Sequence, residues 1–171
     1  MNCNFISLLI LFGFYFAGMA QENPSNNPKL SLEQEEVMAT IIELFDGYRA
    51  ADSSRVRAVF TENASLMRVG KKDGEPHLGG GSINSFVNYV GSGLDKLHDE
   101  PLWDYEVHID ENLASVWTKY AFYLEGQFHH CGAESFQLFK SKEGWKIFLL
   151  VDTSHDDCDI PDYIRNKSEK K

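Results

Sequence analysis

Four strand-patterned segments in the second half of the chain, joined by turns too short for a crossover, constrain the fold more than any other feature. They are Trp103 to Ile109, Leu113 to Leu124, Gln127 to Lys140 and Trp145 to Asp152, rich in aromatic and β-branched residues. Asp110-Glu111-Asn112, Glu125-Gly126 and Ser141 to Gly144 separate them. A parallel connection needs about a dozen residues or more, so these neighbours pair antiparallel.

Helical patterns fill the first half. Ser31-Leu32-Glu33-Gln34 has the S-x-x-Q form of a capping box, in which serine and glutamine satisfy free amides at a helix start. Val37, Met38, Ile41, Ile42, Phe45 and Tyr48 then recur at the spacing of one helical stripe. Asp52-Ser53-Ser54 breaks and recaps the chain ahead of a short second helix carrying Val56, Val59 and Phe60. Asn63 to Val69 reads as a first strand. Gly70 to Gly81 holds five glycines, a proline and four charges, and is expected to be an irregular loop. Ser82 can cap a third helix, whose stripe is Ile83, Phe86, Val87, Val90 and Leu94. Three helices followed by a meander form a helix-covered antiparallel sheet, an α+β domain.

The apolar run Phe5 to Met19 is shorter than the roughly 20 residues of a bilayer span and matches the apolar region of a signal peptide. Gly18-Met19-Ala20 supplies small residues for cleavage after Ala20; the competing reading is an uncleaved anchor, because Met1-Asn2-Cys3-Asn4 holds no Lys or Arg. The expected organisation is a signal peptide over 1–20, a flexible leader over 21–30, one domain over 31–158 and a polar C-terminal tail over 159–171. Such a chain is secreted or periplasmic, with no membrane association after cleavage. The formal net charge is −10, and no residue of the first twenty is charged. A field of that sign repels phosphate backbones and anionic lipid, which argues against nucleic-acid and membrane-surface partners.

The order helix, short helix, strand, glycine-rich segment, helix and long antiparallel strands resembles the nuclear transport factor 2-like superfamily, which includes steroid isomerase-like and SnoaL-like polyketide cyclase-like proteins. Tyr48-Arg49-Ala50-Ala51-Asp52 through Val59-Phe60-Thr61-Glu62-Asn63-Ala64-Ser65-Leu66 is similar to its entry. Phe136-Gln137-Leu138-Phe139 and Glu143-Gly144-Trp145-Lys146-Ile147 are similar to its last hairpin. The resemblance covers about Glu33 to Thr153. It implies a strongly bent sheet wrapped around the helices as a cone with an apolar cavity. Members use that cavity for isomerisation, dehydration, epoxide opening, ligand binding or no chemistry, so function must come from the site.

A steroid isomerase-like site needs a tyrosine on the first helix and a carboxylate base on the first strand. The matching positions hold Leu44 and Arg68. Leucine donates nothing and arginine stays protonated, so that constellation is absent. The remaining polar candidates are His129, His130, Glu134, Asp152, His155 and Asp156. His130 and Asp152 lie at similar distances from the last hairpin turn, and a histidine oriented by a carboxylate could act as a general acid–base. The competing reading makes both structural.

Alternation separates Val116, Thr118, Tyr120 and Phe122 from Trp117, Lys119, Ala121 and Tyr123 without saying which set faces the cavity. Trp103, Tyr120, Phe122 and His155 are the candidate ligand contacts. Trp117 and Tyr123 on an outer face would form an apolar patch suited to a homodimer. Cys131 and Cys158 are the cysteines left after cleavage, and an even count in an oxidising compartment favours a disulfide. Free thiols and a zinc-type set with His129, His130 and His155 are the competing readings, and neither segment has a recognised zinc spacing. No cofactor or metal is expected. The leading function is an exported protein binding a small apolar molecule. The alternatives are a SnoaL-like or dehydratase-like enzyme using a histidine and a carboxylate, and a protein-interaction module.

Overall fold

The computed structural model describes residues 29–168, so the expected signal peptide and most of the expected leader lie outside the described residues. Helix α1 spans Leu32–Arg49, and its N-cap Ser31 makes both arms of the capping box with Gln34. Burial of Val37, Met38, Ile41, Phe45 and Tyr48 follows the stripe expected from the sequence, and Leu44 is buried with them. Ile42 is the exception and lies half exposed at the stripe's edge. The Asp52 side chain accepts from the Ser54 and Arg55 amides and starts α2, Ser53–Ala58.

Strand β1 (Phe60–Lys72) runs well past Val69 and turns into β2 (Glu75–Ser82), correcting the expectation of an irregular loop over Gly70 to Gly81. The turn is Asp73-Gly74, both at positive φ, between the paired residues Lys72 and Glu75. Asp-Gly is a strong two-residue hairpin signal, and here the surrounding glycines obscure it. Helix α3 (Ile83–Gly91) follows, with Ser82 at its N-cap position but without a side-chain capping bond.

The meander comprises β3 (His98–Asp99), β4 (Leu102–Asp110), β5 (Leu113–Leu124), β6 (Gln127–Ser141) and β7 (Gly144–Thr153). The sheet order is β2-β1-β7-β6-β5-β3, with β4 also paired to β5. Sequential neighbours are antiparallel, whereas β1 lies parallel to β7. That pairing joins the two halves of the chain, where no tight turn dictates direction. Register shifts in β1, β4 and the β5–β6 and β6–β7 ladders bend the sheet around the helices.

The concave face carries the main core, in which Ile41, Leu44, Val116, Phe136, Leu138 and Ile147 are fully or almost fully buried. A second cluster lies on the convex face, built from Trp103, Ala121, Tyr123 and Cys131 and covered by Ile160 and Ile164. Ile164 belongs to a fourth helix, α4 (Asp162–Ser168), formed by the segment expected to be a polar tail. Trp103 is 1% exposed in this cluster, which corrects its placement as a cavity contact. Tyr123 does face outward, yet the chain's own C-terminal segment covers it.

Cys131 and Cys158 form a disulfide across a sequence separation of 27, so neither thiol is left to ligate a metal. Backbone bonds in both directions between Cys131 and His155 draw the segment after β7 over β6. Gly132 makes the crossing possible: a Cβ there would lie 2.1 Å from the Thr153 carbonyl oxygen. Among the described residues no helix is long and apolar enough to cross a membrane.

Candidate functional site

The concave face contains a cavity of about 560 Å³. Leu44, Phe45, Leu66, Phe86 and Leu150 supply much of its apolar wall. The residues aligned with the isomerase tyrosine and base, Leu44 and Arg68, both face this space.

A ladder of register partners builds the polar wall. Arg68 on β1 lies opposite Asp152 on β7, Asp152 opposite Glu134 on β6, and Glu134 opposite Thr118 on β5. One row deeper, Leu66, Leu150, Phe136 and Val116 repeat the alignment with apolar side chains. The polar row is therefore a single layer on an apolar floor. Arg68 Nε donates to both Asp152 oxygens at 2.9 and 3.0 Å, and Nη2 donates to Asp152 Oδ2. This bidentate pair is the strong form of a charge-assisted contact.

Glu134 is 3% exposed, and its Oε2 has no hydrogen-bond partner. Glu100 reaches the same wall from the short break between β3 and β4. Pro101 helps set that break, because a proline restricts the residue before it to extended conformations. Three carboxyl groups thus share one nearby guanidinium, and Asp152 holds it. Burial and then the Asp152 charge push Glu100 up to about 8. Burial, followed by the Glu100 and Asp152 charges, raises Glu134 well above the ordinary carboxyl range. Like charges this close cannot all ionise, so the wall holds at least one neutral carboxylic acid at neutral pH.

Aromatic groups form the adjacent wall. Tyr48 of α1 stacks on His98 of β3 with ring centroids 5.2 Å apart, and His98 stacks on Phe122 at 5.5 Å. Phe122 in turn meets His130 at 5.1 Å. Burial, the Arg68 charge and His129 together lower His130 to about 4, so its imidazole is neutral and can accept a proton.

His130 and Asp152 both line the cavity, but the expected orienting contact between them is not made. Arg68 engages both Asp152 oxygens, and His130 Nδ1 lies 2.9 Å from His129 Nδ1. Of the candidate ligand contacts, Phe122 lines the cavity. Tyr120 belongs to the concave set but is fully buried, with its hydroxyl donating to the Thr153 carbonyl. His155 is exposed at the β6 crossing. The concave set is therefore Val116, Thr118, Tyr120 and Phe122. Sequence reasoning left Glu100 out and gave Glu134 no role. The available signal was an acid in register with His130, Phe136 and Leu138 on one face of β6.

No family model and no curated protein matches the chain. Solved structures do. A nuclear transport factor 2-like protein of unknown function from Shewanella baltica superposes with a TM-score of 0.56 at 17% identity, covering 77% of this chain and 100% of its own. A protein from Streptomyces avermitilis, provisionally named a dehydratase of that family, gives 0.59 at 10% identity, covering 73% and 97%. One from Novosphingobium aromaticivorans, provisionally named an aromatic ring hydroxylase, gives 0.55 at 18% identity, covering 75% and 94%. The chain has the nuclear transport factor 2-like fold: a bent, open mixed sheet closed by helices around a cavity. Similarity at these identities defines the fold and leaves activity to the side chains.

Proposed function

We propose that the protein is an exported binder of a small, largely apolar molecule carrying one hydroxyl, carbonyl or comparable oxygen function. The observation that carries this reading is Glu134 Oε2, buried and unpartnered at the polar layer of a cavity of about 560 Å³. An unsatisfied buried polar atom costs about 1–3 kcal/mol, and a ligand oxygen would remove that penalty. The surrounding apolar and aromatic surface suits the rest of such a molecule. Export is supported by the apolar leader and agrees with a disulfide-bonded domain. A cavity of this size argues against an interaction module whose interior is filled by its own side chains.

The test is native mass spectrometry of the protein from its own compartment, with thermal shifts against paired lipophiles that carry or lack an oxygen function. Retention of a small molecule and larger shifts for the oxygenated members are expected. No bound species and no shift would remove the proposal.

A second reading, acid–base catalysis of dehydration, is favoured by the neutral His130 imidazole and protonated carboxyl facing one cavity. His130 would take a proton from the carbon adjacent to a carbinol. As the C–H electron pair becomes a C=C bond, the C–O bond breaks and Glu134 protonates the departing hydroxyl, releasing water. Incubation with β-hydroxy carbonyl compounds should then produce conjugated alkene absorbance that His130→Ala abolishes. No alkene from any of them leaves binding alone.

A further inference from the structure

A second hollow of about 350 Å³ lies behind the polar wall. Met38 and Ile42 of α1, Leu102 and Tyr105 of β4, and Ile164 of α4 form its apolar sides. Phe45 and Glu100 belong to the walls of both cavities. The two spaces therefore meet at one aromatic ring and one carboxyl group.

The second cavity carries charged groups of its own. Asp46, Arg49 and Asp99 line it, with Arg49 donating to Asp46 and Asp99 at 2.6 Å each. A space of this size with charged walls holds several waters. The first cavity becomes dry at its polar wall when an apolar molecule occupies it. A proton given up by Glu134 or Glu100 could not then be replaced through the same entrance.

We propose that Glu100 exchanges its proton with solvent through the second cavity, which acts as a proton inlet to the polar wall behind a bound molecule. The proposal rests on the acid–base reading of the first cavity. When the Glu134–Glu100 pair gives one proton to a ligand oxygen, the pair gains one negative charge. A hydronium ion in the second cavity then protonates Glu100 and leaves water, restoring the pair. The groups acting on Glu100 are Asp152, Arg68 and Asp99, together with Glu134, Tyr48 and Tyr120, whose own equilibria feel Glu100 in return. Arg68 disfavours protonation and the carboxylates favour it, so the pair remains able to give and to recover a proton.

Carbodiimides activate protonated carboxyl groups and so report both protonation and access. Full-length protein is treated at neutral pH with the water-soluble cationic carbodiimide 1-ethyl-3-(3-dimethylaminopropyl)carbodiimide and glycine ethyl ester, and Glu100 modification is read by peptide mapping. Ile42→Trp, at a half-exposed position on α1, obstructs the second cavity with little risk to folding. Leu124→Trp obstructs the first. The expected result is Glu100 modification in the wild type, a several-fold loss in Ile42→Trp and little change in Leu124→Trp. The reverse pattern, or no Glu100 modification in the wild type, overturns the inlet. Labelling requires neither ligand nor turnover. Absence of dehydration therefore tests the acid–base reading separately, while the labelling pattern decides the inlet.

Discussion

Strand β6 has two faces that solve opposite problems. On its convex face Cys131 packs with Trp103 and Tyr123 beneath Ile160 and Ile164, and a disulfide secures the covering segment. On its concave face Glu134 and His130 border open space, and Glu134 retains an unpartnered buried oxygen. The same strand thus completes its packing on one side and leaves it incomplete on the other. The cavity is therefore not a general failure to fill the interior. The chain supplies a cover for the convex cluster and leaves the concave polar layer bordering a cavity.

Breaking the convex side should have the largest effect. Cross-linking across 27 residues restricts the unfolded chain by about 3–4 kcal/mol on the chain-entropy model. Cys131→Ala, Cys158→Ala and the double variant should lose stability to similar extents in denaturant titrations. A double variant much weaker than either single one would show that the cysteines contribute separately. Because Ile160 and Ile164 are held by the same segment, reduction should also expose Trp103 and shift its fluorescence to the red.

Disturbing the polar row should matter less. Arg68→Leu leaves Asp152 facing Glu134 without its cation, while Arg68 itself is more than half exposed. The exposure limits the expected loss to about 1 kcal/mol at neutral pH. It should shrink in acid, where protonation relieves the carboxylates. A loss that persists unchanged at pH 4 would assign the Arg68 effect to packing.

The raised carboxyl equilibria give a signed pH dependence. Glu100 binds a proton more tightly when folded, up to about 8, than an ordinary glutamate does unfolded. Its favourable contribution is therefore present near the unfolded value and is lost as pH rises toward 8. His130, lowered to about 4, works in the other direction: its contribution is present above about 6.5 and is lost as pH falls toward 4. Glu100→Gln should consequently raise the melting temperature at pH 8 relative to wild type and have less effect at pH 5. An equal effect at both pH values would remove burial of the Glu100 charge as its cause.

Local chemistry made most of the frame readable. The Ser31–Gln34 capping box, the Asp52 cap and the stripe on α1 depend on residues within a few positions of one another. The later strands begin and end within about one residue of their sequence patterns because short turns bound them. The polar wall depends on longer-range events. Arg68 and Asp152 are 84 residues apart, and the parallel β1–β7 pairing that aligns them leaves no local signature. Glu100 enters through a break beside Pro101, and its place on two cavity walls follows from tertiary packing. His130 and Asp152 were brought to one cavity by the sequence pattern, but the competing claim of Arg68 on Asp152 was not readable from it.

The smallest expected change in folding stability lies farther along the convex face. There Trp117 is 51% exposed, and Leu113 and Phe139 form a directly opposed exposed pair. Residues 113, 115 and 117 share this face of β5, with Ser115 and Gln137 hydrogen-bonded between the apolar positions. The C-terminal segment covers Trp103 and Tyr123 but leaves Trp117 exposed, so a second copy of the chain is the proposed cover for this region. Trp117→Lys should alter monomer stability by no more than about 0.5 kcal/mol, as expected for an exposed position without a buried partner. In a dimer the same substitution would place two cations near a symmetry axis and strip the interface of its largest apolar side chain. Sedimentation equilibrium should therefore find twice the chain mass for the wild type and one chain for Trp117→Lys at equal concentration. A wild type that stays monomeric, or a variant that stays dimeric, would show that the convex face is complete once its own C-terminal segment is in place.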